Sequence, residues 1–287
     1  MAQIIHPQAE IGLVRLKVQN LERSITFYEE VIGLKLLGQE GNVAELAADG
    51  RHALVVLEAN ADYRISESRS SGLYHFAILL PDRVSLGLAL RNLAKHNISV
   101  GQGDHLVSEA LYLNDPDNNG IEIYADRPRE TWQRSANGEY VMTTDPVDIE
   151  GLLHISEQAQ WQGLPAETVI GHVHFHVGNL QQAKRFYCDV LGFEITAHYG
   201  SAALFISAGG YHHHIGLNTW AGVGAPPAAA DATGLAYYTV TLPDQQALAE
   251  VEARISESGI AYEREDDDAI NVSDPFGIQT RLIVKGY

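Results

Sequence analysis

The sequence predicts an α+β fold made of four copies of one strand–helix–three-strand unit, and three internal repeats predict it. Leu21–Leu34 aligns with Leu180–Phe193, 159 residues further on, and both segments carry Phe-Tyr at the centre and glycine one place from the end. Gly72–Asp82 aligns with Gly234–Asp244, each an apolar run closed by Pro-Asp. Asp115-Pro116 and Asp274-Pro275 then mark the same late turn in each half. The units start near residues 11, 72, 170 and 234. Residues 1–125 form an N-terminal half of units 1 and 2, residues 126–168 a connecting segment, and residues 169–287 a C-terminal half of units 3 and 4.

Each element has a local reason. In units 1 and 3 the stripes Leu21/Ile25/Tyr28/Ile32 and Leu180/Lys184/Tyr187/Leu191 fall at helical spacing, with Lys184 the one break. Asn20 and Asn179 are placed to cap those helices, and Gly33 and Gly192 to end them. In units 2 and 4 the strand runs into Pro-Asp and then into an apolar-periodic helix. Short β-rich runs and the Asp-Pro turn complete each unit. The connecting segment is rich in polar residues and turn formers and reads as local structure rather than a domain. The stretch 222–233, with Pro226-Pro227, reads as a surface loop between units 3 and 4.

Composition limits the function. Over 287 residues there are 19 Lys and Arg against 37 Asp and Glu, a formal charge of −18. That balance disfavours nucleic acid, whose binding relies on Lys and Arg. No apolar run reaches the roughly 18 residues of a membrane span, and the opening Met1–His6 lacks the pattern of a signal peptide. The single cysteine, Cys188, suits a reducing compartment, so cytoplasm is the expected location. Cys188 has no histidine partner in its motif and is expected to be inert.

Chemistry concentrates on histidine. His75 and His174 lie on the opening strands of units 2 and 3, and Glu122 follows the turn Asp115–Gly120. Two neutral imidazoles and one carboxylate are the set that holds non-haem iron(II) with positions left open; manganese(II) accepts the same set. Glu122, between Ile121 and Ile123, needs a cation or donor if buried. His172, His174 and His176 alternate along one strand and share a face. The tract His212-His213-His214 is a candidate proton shuttle, since histidine titrates near neutrality. On strand alternation His213 faces away from its two neighbours.

These features together resemble the vicinal oxygen chelate superfamily over nearly the whole chain. Near its motifs the sequence resembles the extradiol ring-cleaving dioxygenases, and more closely the bacterial catechol 2,3-dioxygenases of the two-domain kind. The run His105–Pro116 continuing to Glu122 carries most of that likeness: a histidine, a spacer, Leu111-Tyr112, two residues, Asp115-Pro116 and then glutamate. Asn118 stands where that signature has glycine or proline, and asparagine tolerates such a turn. The resemblance implies two open barrels, each made by pairing two units around a metal position. Reading the first strands in register gives Arg15, His75, His174 and Tyr237, and the carboxylate position gives Glu122 and Gln279. Only units 2 and 3 together then supply two histidines and a carboxylate, so one site at the meeting of the halves is expected, and the pairing of units 1 and 4 is expected to be metal-free.

What the resemblance implies for function is cleavage of catechol or a substituted catechol by dioxygen to a 2-hydroxymuconic semialdehyde. His75, His174 and Glu122 would hold the metal. His212 or His213 would be the acid–base group; the two alignments of the tract disagree and leave that choice open. Tyr112 would donate a hydrogen bond to substrate and His105 would contact a substrate hydroxyl. Partners are a catechol-type molecule and dioxygen, with homo-oligomerisation left open. The rivals are a non-redox glyoxalase-type metalloenzyme and a metal-free binder of small molecules.

Overall fold

The computed structural model describes residues 4–66 and 69–286. Met1-Ala2-Gln3, the start of the run read for a signal peptide, lies outside them. Unit 1 comprises β1 (Glu10–Val18), α1 (Leu21–Thr26), β2 (Lys35–Glu40), β3 (Val43–Ala47) and β4 (Val55–Ala59). Unit 2 comprises β5 (Gly72–Leu80), α2 (Arg83–Lys95), β6 (Gly101–Asp104), β7 (Ser108–Asn114) and β8 (Gly120–Asp126). The connector holds α3 (Ile149–Ile155). Unit 3 follows as β9 (Val169–His176), α4 (Leu180–Lys184), β10 (Glu194–Tyr199), β11 (Ala203–Ser207) and β12 (Ile215–Asn218). Unit 4 is β13 (Gly234–Leu242), α5 (Gln245–Ser258), β14 (Tyr262–Arg264), β15 (Ala269–Ser273) and β16 (Gln279–Val284). The four expected repeats are all present, and no helix among the described residues is long and apolar enough to cross a membrane.

The sheets do not follow the two halves of the chain. One has the order β14-β15-β16-β13-β1-β4-β3-β2 and joins units 4 and 1. The other has the order β10-β11-β12-β9-β5-β8-β7-β6 and joins units 3 and 2. The seams are antiparallel, β1 with β13 and β5 with β9. Each curled eight-stranded sheet is therefore a half-barrel with one unit from each half.

Strand alternation explains which face is apolar. Phe76, Ile78 and Leu80 of β5 join Val173 and Phe175 of β9 and Val14, Leu16, Val18, Tyr238 and Val240 of the other sheet in one shared core. Residues of α2 and α5 enter the same core. The alternate positions, including His75, Ala77, His172 and His174, are left on the concave side.

The helices of units 1 and 3 start as expected, with Asn20 Oδ1 accepting from the Arg23 amide and Asn179 Oδ1 from the Gln181 and Gln182 amides. They do not continue as regular α-helix. Phe27–Ile32 and Arg185–Val190 widen into π turns, before Gly33 at φ 95° and Gly192 at φ 92°. Each widened turn carries a buried tyrosine whose hydroxyl reaches an aspartate in the next unit: Tyr28 donates to Asp115 Oδ2 and Tyr187 to Asp274 Oδ2, both at 3.0 Å.

Asp115 also organises the turn that leads to Glu122. Its Oδ1 accepts from the Asp117 and Asn119 amides, both at 2.8 Å. Asn118 sits at φ 66°, the left-handed conformation asparagine tolerates. Tyr28→Phe removes one donor from this buried carboxylate, so a loss of about 1 kcal/mol in urea-melt stability is expected.

Candidate metal and catalytic site

The second half-barrel, of units 2 and 3, brings the chemistry together. His172 on β9 and Ala77 on β5 are cross-strand partners, Ala77 pairs with Glu122 on β8, and Glu122 pairs with Tyr112 on β7. These residues form one row across the concave face. The methyl of Ala77 between a histidine and a glutamate leaves the middle of the row open. His75 and His174 are partners in the adjacent row.

His75, Glu122 and His172 offer ligand atoms that all lie within 4.8 Å of one another, and all three residues are buried. Glu122 Oε2 is 3.0 Å from His75 Nε2 and 3.1 Å from His172 Nε2. The His75 contact is off hydrogen-bond geometry, so this buried nitrogen has no hydrogen-bond partner among the described residues. Burial alone would raise the Glu122 carboxyl, but its close contacts with the His172 and His75 rings outweigh burial and hold it well below its ordinary value. Burial lowers His172 to about 4, which keeps its ring neutral at pH 7. A buried carboxylate, two imidazoles and an unpartnered ring nitrogen fit a divalent metal.

This grouping differs from the sequence reading, which placed His174 with His75 and Glu122. His174 Nε2 is engaged instead by Asn218 Nδ2 at 3.0 Å. Asn218 is fixed in that orientation because its Oδ1 accepts from the Trp220 amide. The physical reason lies in the register. His75 is seven residues ahead of the cap Asp82, and His172 is seven ahead of the cap Asn179, whereas His174 is only five ahead. Counting residues back from the helix cap is the signal that puts His172, rather than His174, in register with His75. His176, the third histidine of that face, donates from Nδ1 to Asn218 Oδ1 at 2.6 Å.

The same register revises the other barrel. There Leu13 stands seven residues ahead of the cap Asn20, and Tyr237 seven ahead of the cap Asp244. Thr239 pairs with Arg281 just as Ala77 pairs with Glu122, so Arg281 and not Gln279 occupies the carboxylate position. Arg281 and Arg15 lie 5.8 and 5.9 Å from the ring centre of Tyr237. Guanidinium takes the place of carboxylate, which suits no cation.

The histidine tract precedes β12 and is not part of it, so strand alternation does not govern it. His212 Nε2 is 2.9 Å from Asp126 Oδ1, and His212 Nδ1 is 2.7 Å from His213 Nδ1. A carboxylate only accepts, so His212 carries its proton on Nε2 and, when neutral, accepts at Nδ1 from His213. That leaves the lone pair of His213 on Nε2. His213 lines the cavity, its ring centre 4.1 Å from that of His172. Burial, with His172 and His212 adding to it, pushes His213 well below the ordinary histidine value. His214 turns away and accepts from the Ala208 amide.

Tyr112 and His105 are brought together at the opposite wall. His105 Nδ1 is 2.6 Å from the carbonyl of Thr143, and its Nε2 is 2.7 Å from Tyr112 Oη. The carbonyl requires a proton on Nδ1, so in a neutral ring Nε2 accepts from Tyr112. Burial, then the charge of Glu122, raises the Tyr112 phenol well above its ordinary value. Tyr112 is therefore a hydrogen-bond donor.

Of these residues His75, His105, Tyr112, Glu122, His174 and His213 line a cavity of about 440 Å3. Part of its wall was not anticipated: Met142, Thr143 and Thr144 come from the connector, which the sequence reading treated as a link between halves. Of the three tryptophans, Trp220 lines this cavity. Trp132 packs on Tyr140 and Tyr211, and Trp161 covers Gly33. Cys188 is half-buried and its thiol is pushed up to about 12 by burial and Asp189, which agrees with an inert side chain.

Residues 10–123 and 169–282 match the family model described as Glyoxalase/Bleomycin resistance protein/Dioxygenase superfamily. The chain is 55% identical over 273 residues to a catechol-2,3-dioxygenase of Bacillus subtilis (strain 168), covering 94% of this chain and 95% of that protein. Among solved structures it is similar to a candidate dioxygenase from Bacillus subtilis subsp. subtilis str. 168, with 14% identity, a TM-score of 0.70 and coverage of 100% of this chain and 87% of the other. It is also similar to glyoxalase I from Zea mays, with 17% identity, a TM-score of 0.60 and coverage of 96% and 92%. At those identities the structural likeness is one of fold.

Proposed function

We propose that this chain, which belongs to the Glyoxalase/Bleomycin resistance protein/Dioxygenase superfamily, is an extradiol dioxygenase that opens the ring of catechol or a substituted catechol. The observation that carries this reading is the convergence of His75, Glu122 and buried His172, the first two on the wall of a cavity that also presents His213 and Tyr112. The 55% identity to a catechol-2,3-dioxygenase supports it. Both atoms of dioxygen would enter the product, a 2-hydroxymuconic semialdehyde.

His75, Glu122 and His172 would hold the metal. Bound there, iron(II) would supply open positions for the vicinal hydroxyls and dioxygen and an electron path between them; manganese(II) suits the same ligands.

The remaining residues manage protons and position. His213 takes a substrate hydroxyl proton on Nε2, and the charge that develops is shared with His212 and the carboxylate of Asp126. The same proton is then at hand for return to a reacting oxygen. Tyr112 orients the substrate by a hydrogen bond from Oη. His105 Nε2, 2.7 Å from Oη, would hold the phenol in place, and the phenol hydrogen would turn from it to the substrate oxygen. The single cysteine fits a cytoplasmic setting.

Anaerobic purification, loading with iron(II) and addition of catechol in air should give stoichiometric oxygen uptake and a yellow product. Metal binding without oxygen uptake for any catechol would favour a non-redox glyoxalase-type enzyme. Failure to retain metal would favour a simple binder.

A further inference from the structure

We propose that this cavity selects catechols bearing a neutral, apolar substituent and rejects those bearing a carboxylate, with Trp220 and Tyr199 as the surface on which the substituent rests. The inference rests on the ring-cleavage reading and adds its substrate class.

Two observations carry it. The first is charge. Among the described residues no lysine or arginine lines the cavity, and the one carboxylate on its wall is Glu122. A substituent carboxylate there would lose water and meet no cation of the chain, a costly exchange. The arginines of the other half-barrel, of units 4 and 1, are of no help, because Arg15 is paired with Glu58 and Arg281 with Glu265.

The second is the mouth. Tyr74, Tyr199 and Trp220 are 40%, 55% and 48% exposed, and all three line this one cavity. Large aromatic side chains clustered in the open at the rim of a concave site mark a surface kept for an apolar ligand. Trp220 is also held in place. Its amide donates to buried Asn218, and its ring lies 5.5 Å from those of Tyr74 and His174. Phe205 and Met142 continue the apolar wall inward. The six-membered ring of catechol at the metal ligands leaves much of about 440 Å3 for the substituent.

The test is an anaerobic titration of the iron(II)-loaded protein with catechol, 4-methylcatechol, 3-phenylcatechol, 3,4-dihydroxybenzoate and 3,4-dihydroxyphenylacetate, read by tryptophan fluorescence, followed by kcat/KM in air. The methyl and phenyl compounds should bind and react at least as well as catechol, and the two acids about 100-fold worse or more. Trp220→Ala should reduce the ratio of phenyl to unsubstituted kcat/KM by roughly ten-fold. Tyr199→Arg, a change at an exposed position, should raise the acids relative to the methyl compound. Equal use of acids and apolar catechols by the native protein would overturn the proposal, as would ratios unmoved in both variants. If the compounds bind in the expected order but no oxygen is consumed, the selectivity stands and the dioxygenase reading fails. If oxygen is consumed with no preference, the reverse holds.

Discussion

His172→Ala is expected to empty the metal site and abolish ring cleavage, whereas His174→Ala is expected to keep its metal. The contrast follows from what each ring touches. His172 Nε2 is directed at Glu122 Oε2, beside the unpartnered His75 Nε2. His174 Nε2 is occupied by Asn218, whose own orientation is fixed by the Trp220 amide. Loss of a ligand removes several kcal/mol of charge stabilisation, or roughly 1000-fold or more in kcat/KM. Metal content by mass spectrometry after anaerobic reconstitution, alongside oxygen uptake, reads both quantities. Glu122→Ala should behave like His172→Ala. Retention of iron by His172→Ala with its loss from His174→Ala would reverse the assignment.

The second large effect is at His213. His213→Asn should lower kcat by about 100- to 10,000-fold, the usual range for a positioned acid–base group, while iron content stays near that of the native protein. Asp126→Asn should cost less, about 10- to 100-fold, because it acts on His213 only through His212, as a partner that orients. Stopped-flow measurement with catechol would show the substrate bound but slow to lose its proton. A kcat of His213→Asn within a few-fold of native, with His212→Asn severely impaired, would move the proton-accepting role to His212.

Much of this arrangement could be read in the chain itself, because it repeats. The helix motif around Phe27-Tyr28 and Phe186-Tyr187, and the paired Asp-Pro turns, are local signals that tertiary contacts reinforce through Tyr28–Asp115 and Tyr187–Asp274. The pairing of unit 2 with unit 3 was legible because only that combination supplies two histidines and a carboxylate. The choice among His172, His174 and His176 was not legible from alternation, which puts all three on one face. Distance to the helix cap favours His172, and strand pairing sets Arg281 rather than Gln279 beside Thr239 as Glu122 is set beside Ala77. The facing of the histidine tract was not legible for a different reason: alternation governs strands, and these residues precede β12. Met142, Thr143 and Thr144 carry no motif. They reach the cavity because the connector folds back over β6 and β7, with Asp104 and Asp145 forming a two-way backbone bridge.

The crossed seams have a consequence for the integrity of the molecule. Neither half of the chain encloses anything by itself: severed between units 2 and 3, each would expose β1 and β5, or β9 and β13, as bare edges seeking a mate. Two fragments supplied together could satisfy each other, and two copies of one fragment would be driven to embrace as twins. The intact polypeptide thus holds, within one covalent thread, the exchange of arms otherwise made between separate molecules, and its reactive centre exists only while that embrace lasts.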